Sequence, residues 1–372
     1  MPGEQGKILV AGGYGQVGRV MAHELSAQFP GQVIVAGRSR AKAEALATEF
    51  GNGTEARQID VFASRMLEKI LDDVCLVIMC LNQGEVSFVR TCLELGIHYI
   101  DLSAQYDFQT KVESLDTVAK EHGATALLSV GLAPGLSNLL AAYAKKQFDD
   151  LTHFDIFIML GLGDVHGHAA IAWLVEHLDA EFFVHDGGVP LKVKSFNESR
   201  ACHFPGISEK RTAFRFNFSD QHVIPETLKI PSVSTWLCFD SSFVTRVISM
   251  LARRGIGRLV RLKILRALTI NLLSKFRMGS DICTVKVQAH GLINGEQTLR
   301  EYHVTGHGEA KLTGLVAAEA AKLVMRGGQP KGVFHIEQLV SPGGFIHQLT
   351  TLDPRFSYDL AGYCNSGPST CD

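Results

Sequence analysis

The chain has 372 residues, with 36 Lys and Arg against 38 Asp and Glu, and a formal net charge of -2. That balance gives no global electrostatic case for nucleic acid or for an anionic membrane, and no apolar run approaches the roughly 18 residues that a spanning helix needs. The length is enough for two domains and a large core. The opening MPGEQGK leads straight to a first strand and lacks the layout of a signal peptide. Eight cysteines show no CxxC and no zinc-type spacing, so no metal is expected and a reducing, cytoplasmic setting fits best.

Lys7 to Val20 reads KILVAGGYGQVGRV: an apolar strand, a glycine-dense turn and the start of a helix. Within it, Gly13-Tyr14-Gly15-Gln16-Val17-Gly18 spells G-x-G-x-x-G. One glycine suits the tight turn, one lets backbone approach a pyrophosphate, and one allows close helix–strand packing. The helix N-terminus behind them offers unpaired N–H groups and a positive dipole end. Such turns are common; the strand before it and the helix after it give this one its weight.

The second strand, Gln32 to Ala36, ends at Gly37-Arg38-Ser39-Arg40, with Lys42 beyond. An NAD site needs a carboxylate near this point for the ribose 2′-hydroxyl. A guanidinium, a hydroxyl and further cations stand there instead, which suits a 2′-phosphate. NADP(H) is therefore expected in preference to NAD(H), with Arg38, Ser39 and Arg40 at the phosphate.

To about residue 130 the pattern alternates strand and helix, the signature of a doubly wound parallel sheet. A helix is expected over Ala41–Phe50, a third strand over Glu55–Val61 ending near Asp60, and a central strand over Val74–Cys80, apolar throughout. Leu81, Asn82, Gln83 and Gly84 form the loop at its carboxyl end. Helix Val86–Leu95, strand His98–Asp101, helix Phe108–His122 and strand Ala124–Val130 follow. In such folds the ligand lies outside the carboxyl ends of the strands, which nominates Gly13–Gly18, Arg38–Arg40, Asp60, Leu81, Asn82, Asp101, Ser103 and the segment Val130–Asn138. In that segment Pro134-Gly135 forces a turn, and Ser137 or Asn138 can cap the next helix.

Beyond Gly135, after a bridging helix Leu136–Gln147, strands dominate and suggest an α+β second domain on a mixed sheet. His185-Asp186-Gly187-Gly188 reads as one hairpin turn, and Asn294-Gly295 as another within Ile282–Val304. Arg253 to Arg277 carries eight Lys or Arg and no acid, interleaved with leucines and isoleucines. A membrane-surface helix, a subunit interface, and a core-facing helix with a basic outer side all fit it. Gly163-Asp164-Val165-His166-Gly167-His168 offers two histidines, and either His166 or His168 could carry a proton near neutral pH. Glu309 is a weaker candidate.

Three segments resemble the saccharopine dehydrogenase-type NADP-binding oxidoreductases: GGYGQVG with GRS after the second strand, HYIDLSAQ at 98–105, and VGLAPGLSNLLA at 130–141. The closing GHGEA, TGLVAAEAAKLV and GVFHIEQL are similar to that family's C-terminal part. The resemblance implies hydride transfer between NADP(H) and a C–N bond, amine to imine or the reverse, on a small amino-acid-derived substrate. It implies Asp101 and Ser103 near the cofactor, and Gly135, Ser137 and Asn138 beside nicotinamide or substrate. It also implies a homodimer and a tail that packs back on the first domain. The domains expected are 1–130 for NADP(H), 131–310 for substrate and dimerisation, and 311–372 returning to the first. Asp101, His166 and His168 are the candidate catalytic residues.

The same turn also fits Gly12-x-x-Gly15-x-x-Gly18, the spacing of short-chain dehydrogenases and of NmrA-like sensors that bind NADP(H) without turnover. None of the seven tyrosines has Lys four residues on. That disfavours a short-chain ketoreductase and leaves the sensor.

Overall fold

The structure is a computed structural model that describes residues 6–63, 67–164, 167–255, 257, 263–275 and 278–364. It divides into two compact units: Met1–Gly131 with Ala310–Leu339, and Leu132–Glu309 with Val340–Asp372.

The first unit is built on a seven-stranded sheet. Its strands are β1 (Lys7–Ala11), β2 (Val33–Gly37), β3 (Glu55–Gln58), β4 (Val74–Met79), β5 (His98–Asp101) and β6 (Thr125–Leu128), joined by a strand from far downstream, Gly332–His335. Every pairing is parallel. The order, Gly332–His335, β6, β5, β4, β1, β2, β3, reverses direction at β1, as in doubly wound nucleotide-binding sheets. All five residues of β2 and all but Lys7 of β1 are buried, which is why these strands read as unbroken apolar runs. The expected third strand is shorter, ending at Gln58, because beyond Ile59 the chain turns on Asp60, whose Oδ1 accepts the Phe62 N–H at 3.1 Å. The long helix expected over Phe108–His122 is two, Tyr106–Glu113 and Asp116–Glu121. A tight turn, Leu115 N–H to Val112 O at 2.9 Å, breaks it and leaves Leu115 in the core.

The second unit carries β7 (Asp150–Leu160), the hairpin β8 (Glu181–Asp186) and β9 (Val189–Lys194), then β10 (Ser199–Cys202), β11 (Arg211–Arg215), β12 (Ser232–Phe239), β13 (Ile282–Ile293) and β14 (Glu296–His307). The chain then supplies the first unit with helix Glu309–Met325 and the strand already placed there, β15 (Gly332–His335), before β16 (Ser357–Cys364). The second sheet runs β10-β11-β12-β7-β13-β14-β16. Only β7 and β12 pair in parallel, so the sheet is mixed. Asn294 and Gly295 close β13 and β14 with φ of 52° and 79°, the left-handed pair that a two-residue hairpin needs. One face of this sheet is apolar, with Phe154, Ile156, Val285, Val287 and Val304 buried, and helix Ser137–Lys145 packs on it. The other face mixes a buried apolar cluster that includes Phe157, Met159, Trp236 and Cys238 with paired polar groups. Trp236 Nε1 donates to Asp155 Oδ1 at 2.8 Å, Arg200 pairs with the same carboxylate, and Lys286 pairs with Glu301 at 2.8 Å.

One expectation needs correction and another is only partly visible. The tail does not return to the first unit as a whole. Ala310–Leu339 does, but helix Pro342–Leu352 and β16 belong to the second unit, because β16 hydrogen-bonds along β14, which otherwise ends the sheet as an open edge. The basic stretch is seen only in part, since residues 256, 258–262, 276 and 277 lie outside the described residues. Helix Ser242–Arg253 ends at its start, and helix Lys263–Lys275 covers its later part. Leu265 and Leu268 are exposed while Ile270 is buried, so its apolar residues do not all face a core.

Candidate functional site

The glycine turn is built as its spacing demands. Gly12 lies at φ 81°, a conformation that side chains resist. A Cβ on Gly18 would press on the Gly12 carbonyl oxygen and lie 2.8 Å from Gly13 Cα, so helix Gln16–Gln28 approaches β1 only because that atom is missing. At Gly15 the nearest neighbour of a Cβ would be the Gly12 oxygen at 3.1 Å; the rest of that direction is open. The amides of Gln16, Val17 and Gly18 have no hydrogen-bond partner among the described residues, and the first turn holds no acid. Three free donors at a positive dipole end make an anion cradle.

At the end of β2 the structure adds what spacing alone does not reveal. The Tyr14 ring lies where a Gly37 side chain would be, its hydroxyl 2.7 Å from that Cβ position. That hydroxyl accepts the Ser39 N–H at 3.1 Å, while Ser39 Oγ caps helix Arg40–Phe50 through the Lys42 N–H. Lys42 Nζ lies 5.9 Å from the Tyr14 ring centroid. The three cationic candidates therefore differ. Arg40 is engaged by Glu44 at 2.7 Å, whereas Arg38 is exposed and its guanidinium has no partner among the described residues. Asp60 is exposed at the end of β3. Sequence reasoning named Gly37 and Lys42 at this corner but could not show that the Tyr14 ring occupies the space over Gly37.

The loops after β4 and β5 form one hydrogen-bonded string. Gln83 Nε2 donates to Tyr99 Oη at 2.7 Å, and Tyr99 Oη donates to Asp101 Oδ2 at 2.7 Å. Asp101 Oδ1 accepts the Ser103 N–H at 2.7 Å, and Gln109 Nε2 donates to the Ser103 carbonyl at 2.8 Å. Asp101 is 1 % exposed, and burial pushes its carboxyl up to about 6 against the pull of those two donors. Both its oxygens face protein, so its geometry is that of an anchor for the Ser103 loop. Leu81 packs on Gly12 and Asn82 is exposed.

In the second unit the turn before helix Ser137–Lys145 places Gly135 at φ 139°. Neither Ser137 nor Asn138 is the helix cap. Asn138 is one residue inside, and its Oδ1 reaches back to the Gly135 N–H at 3.0 Å. Asn138 Nδ2 is buried with no partner among the described residues, one of several such atoms, and is a donor that a ligand acceptor could satisfy. His166 lies outside the described residues. His168 opens helix His168–His177, and its side chain lies outside them too. Asp164 Oδ2 accepts the Glu309 N–H at 2.6 Å, which ties that candidate into local structure.

An NADP(H) molecule fits what these residues offer: free amides for a diphosphate, a cradle that a Cβ would narrow, an unpaired guanidinium, and no carboxylate at the end of β2. Comparison with known proteins agrees. Residues 8–127 match the family model described as the saccharopine dehydrogenase NADP binding domain. The chain is 22% identical to a carboxyaminopropylagmatine dehydrogenase of Synechocystis over 92% of this chain and 95% of that one. It is 28% identical to a carboxynorspermidine synthase of Vibrio cholerae over 42% and 43%. Saccharopine dehydrogenase (L-Glu forming) of Saccharomyces cerevisiae shares the fold, with a TM-score of 0.68 at 16% identity over 95% and 99% of the two chains.

Proposed function

We propose that this chain, which carries a saccharopine dehydrogenase NADP binding domain at residues 8–127, moves a hydride between NADP(H) and a C–N bond of a small amino-acid-derived substrate. The observation that carries the reading is the pairing of the free Gln16–Gly18 amides with the free Arg38 guanidinium, one suited to a diphosphate and the other to a further phosphate. The relatives' names point to carboxylated polyamines as the substrate class.

Gly13, Tyr14, Gly15, Gln16, Val17 and Gly18 would hold the diphosphate. Arg38 and Ser39 would hold the 2′-phosphate, with Arg40 and Lys42 beside them and Asp60 towards the adenosine. Leu81, Asn82 and Ser103 would line the cofactor, and Gly135 and Asn138 would face nicotinamide or substrate, Asn138 Nδ2 donating to an acceptor oxygen. When bound, the cofactor supplies or takes the hydride. The protein's part is to hold the C–N carbon in reach and to provide a proton for the nitrogen. His166 or His168 would carry that proton, and Asp101 would act by fixing the Ser103 loop. A cytoplasmic homodimer completes the proposal. Cys75, Cys80, Cys92, Cys202, Cys238 and Cys283 are free, no helix among the described residues is long and apolar enough to cross a membrane, and exposed Phe243, Leu265 and Leu268 are surface that a second copy could cover.

The test is steady-state assay with NADP(H) and NAD(H) on saccharopine and carboxynorspermidine. Turnover of either with a preference for NADP(H) supports the reading. Tight NADPH binding with no turnover on any such compound turns it into the sensor.

A further inference from the structure

Ser129 leaves β6 at φ 56°, a left-handed conformation that strains a residue with a Cβ, and it is fully buried. Its Oγ lies 2.7 Å from His335 Nδ1, and His335 Nε2 lies 2.6 Å from Glu113 Oε1. These residues are distant in sequence and come together through the fold. His335 ends β15 in register with Leu128 of β6, its N–H is held by Gln338 Oε1 at 2.8 Å, and Glu113 ends helix Tyr106–Glu113. The direction of each bond follows from the chemistry. A carboxylate only accepts, so Nε2 carries the hydrogen; in the neutral imidazole Nδ1 is then a lone pair to which the Ser129 hydroxyl donates. A strained turn is thus locked by two directed hydrogen bonds at the carboxyl edge of the parallel sheet, the side on which doubly wound folds bind ligands.

We infer that Ser129, His335 and Glu113 are positioning residues, holding the turn after β6 in the one conformation that hydride transfer requires. The inference rests on the oxidoreductase reading above. Glycine at position 129 tolerates the same φ without strain, so Ser129→Gly removes the lock without harming the backbone. Glutamine at 335 can offer an amide N–H to Glu113 and a carbonyl to Ser129, restoring both bonds without an imidazole.

The test compares wild type, Ser129→Gly, His335→Ala and His335→Gln as full chains, by melting temperature, NADPH titration and NADP+ reduction with carboxynorspermidine or saccharopine. Ser129→Gly should melt no lower than wild type and bind NADPH within about twofold, yet lose kcat by about tenfold or more with little change in KM, because misplacement costs the transition state first. His335→Ala should lose kcat similarly, and His335→Gln should regain most of it. Wild-type kcat in Ser129→Gly, or His335→Gln as impaired as His335→Ala, overturns the inference. An inactive wild type overturns the oxidoreductase reading and this inference with it; an active wild type beside an equally active Ser129→Gly overturns this inference alone.

Discussion

In the parallel-sheet unit the ends of the strands leave polar groups unmatched; in the mixed-sheet unit the charges gathered around Trp236 pair with one another. The Gln16, Val17 and Gly18 amides and the Arg38 guanidinium have no partner among the described residues. By contrast Arg215 makes two bonds to Glu198, at 2.9 and 2.8 Å, and one to Ser234, while Arg200 and Trp236 share Asp155. Both guanidinium groups also lie over the Trp236 ring, at 4.9 and 4.5 Å. Residue type alone would have ranked the second set higher, since it is richer in charge. Free hydrogen-bonding capacity distinguishes a ligand site from a structural ion-pair network. Asn138 Nδ2 also lacks a partner among the described residues, as do other buried atoms of the second unit such as Trp173 Nε1 and Ser195 Oγ.

The sharpest break of this comparison pairs two glycines. Gly18→Ala and Gly291→Ala each drive a Cβ into a carbonyl oxygen, of Gly12 and of Asp150 respectively. Each should cost about 3 kcal/mol, the upper end for overpacking. Thermal unfolding should show both losses, but NADPH fluorescence titration should weaken roughly 100-fold, the equivalent of that strain, for Gly18→Ala only. Arg38→Asp comes next. It should weaken NADPH by about 30-fold, as loss of a charged hydrogen bond does, and leave NADH unchanged, whereas Arg40→Asp should do little because Glu44 already engages Arg40.

A smaller contrast concerns pH. Asp101, in the first unit, has its carboxyl raised from 3.8 to about 6 by burial, so the folded state holds its proton more tightly than the unfolded one. The stability it contributes is complete below 3.8 and is lost as pH rises through about 6. His222, in the second unit, is lowered from 6.5 to about 4, again by burial. Its contribution is present above 6.5 and lost as pH falls through about 4. Peptide-resolved hydrogen exchange should therefore show opposite pH trends around β5 and around helix Asp220–Leu228. Asp101→Asn should flatten the first and His222→Gln the second.

Legibility followed the same division. The first two strands and the helix between them could be read locally, because apolar runs and glycine spacing lie within some thirty residues. The Asn294-Gly295 hairpin was legible for the same reason. The order of β10, β11, β12 and β7 was not, since no short-range signal says which strands pair. β16 was missed because its role, covering the β14 edge, exists only in the folded sheet. In the candidate site, spacing nominated Gly13, Gly15, Gly18 and Arg38. It could not show that Tyr14 fills the space over Gly37, that Asp101 faces only protein, or that His335 reaches Ser129 across 206 positions. Each of those facts arises from packing between distant segments.

The most direct test follows the hydride itself. NADPH carrying deuterium at both positions of its reducing carbon is incubated with the protein and the imine formed from a keto acid and an aliphatic amine, and the product is read by mass spectrometry. One deuteron on the former imine carbon is the predicted result. Product without deuterium, or NADPH bound tightly and never consumed, would contradict the account.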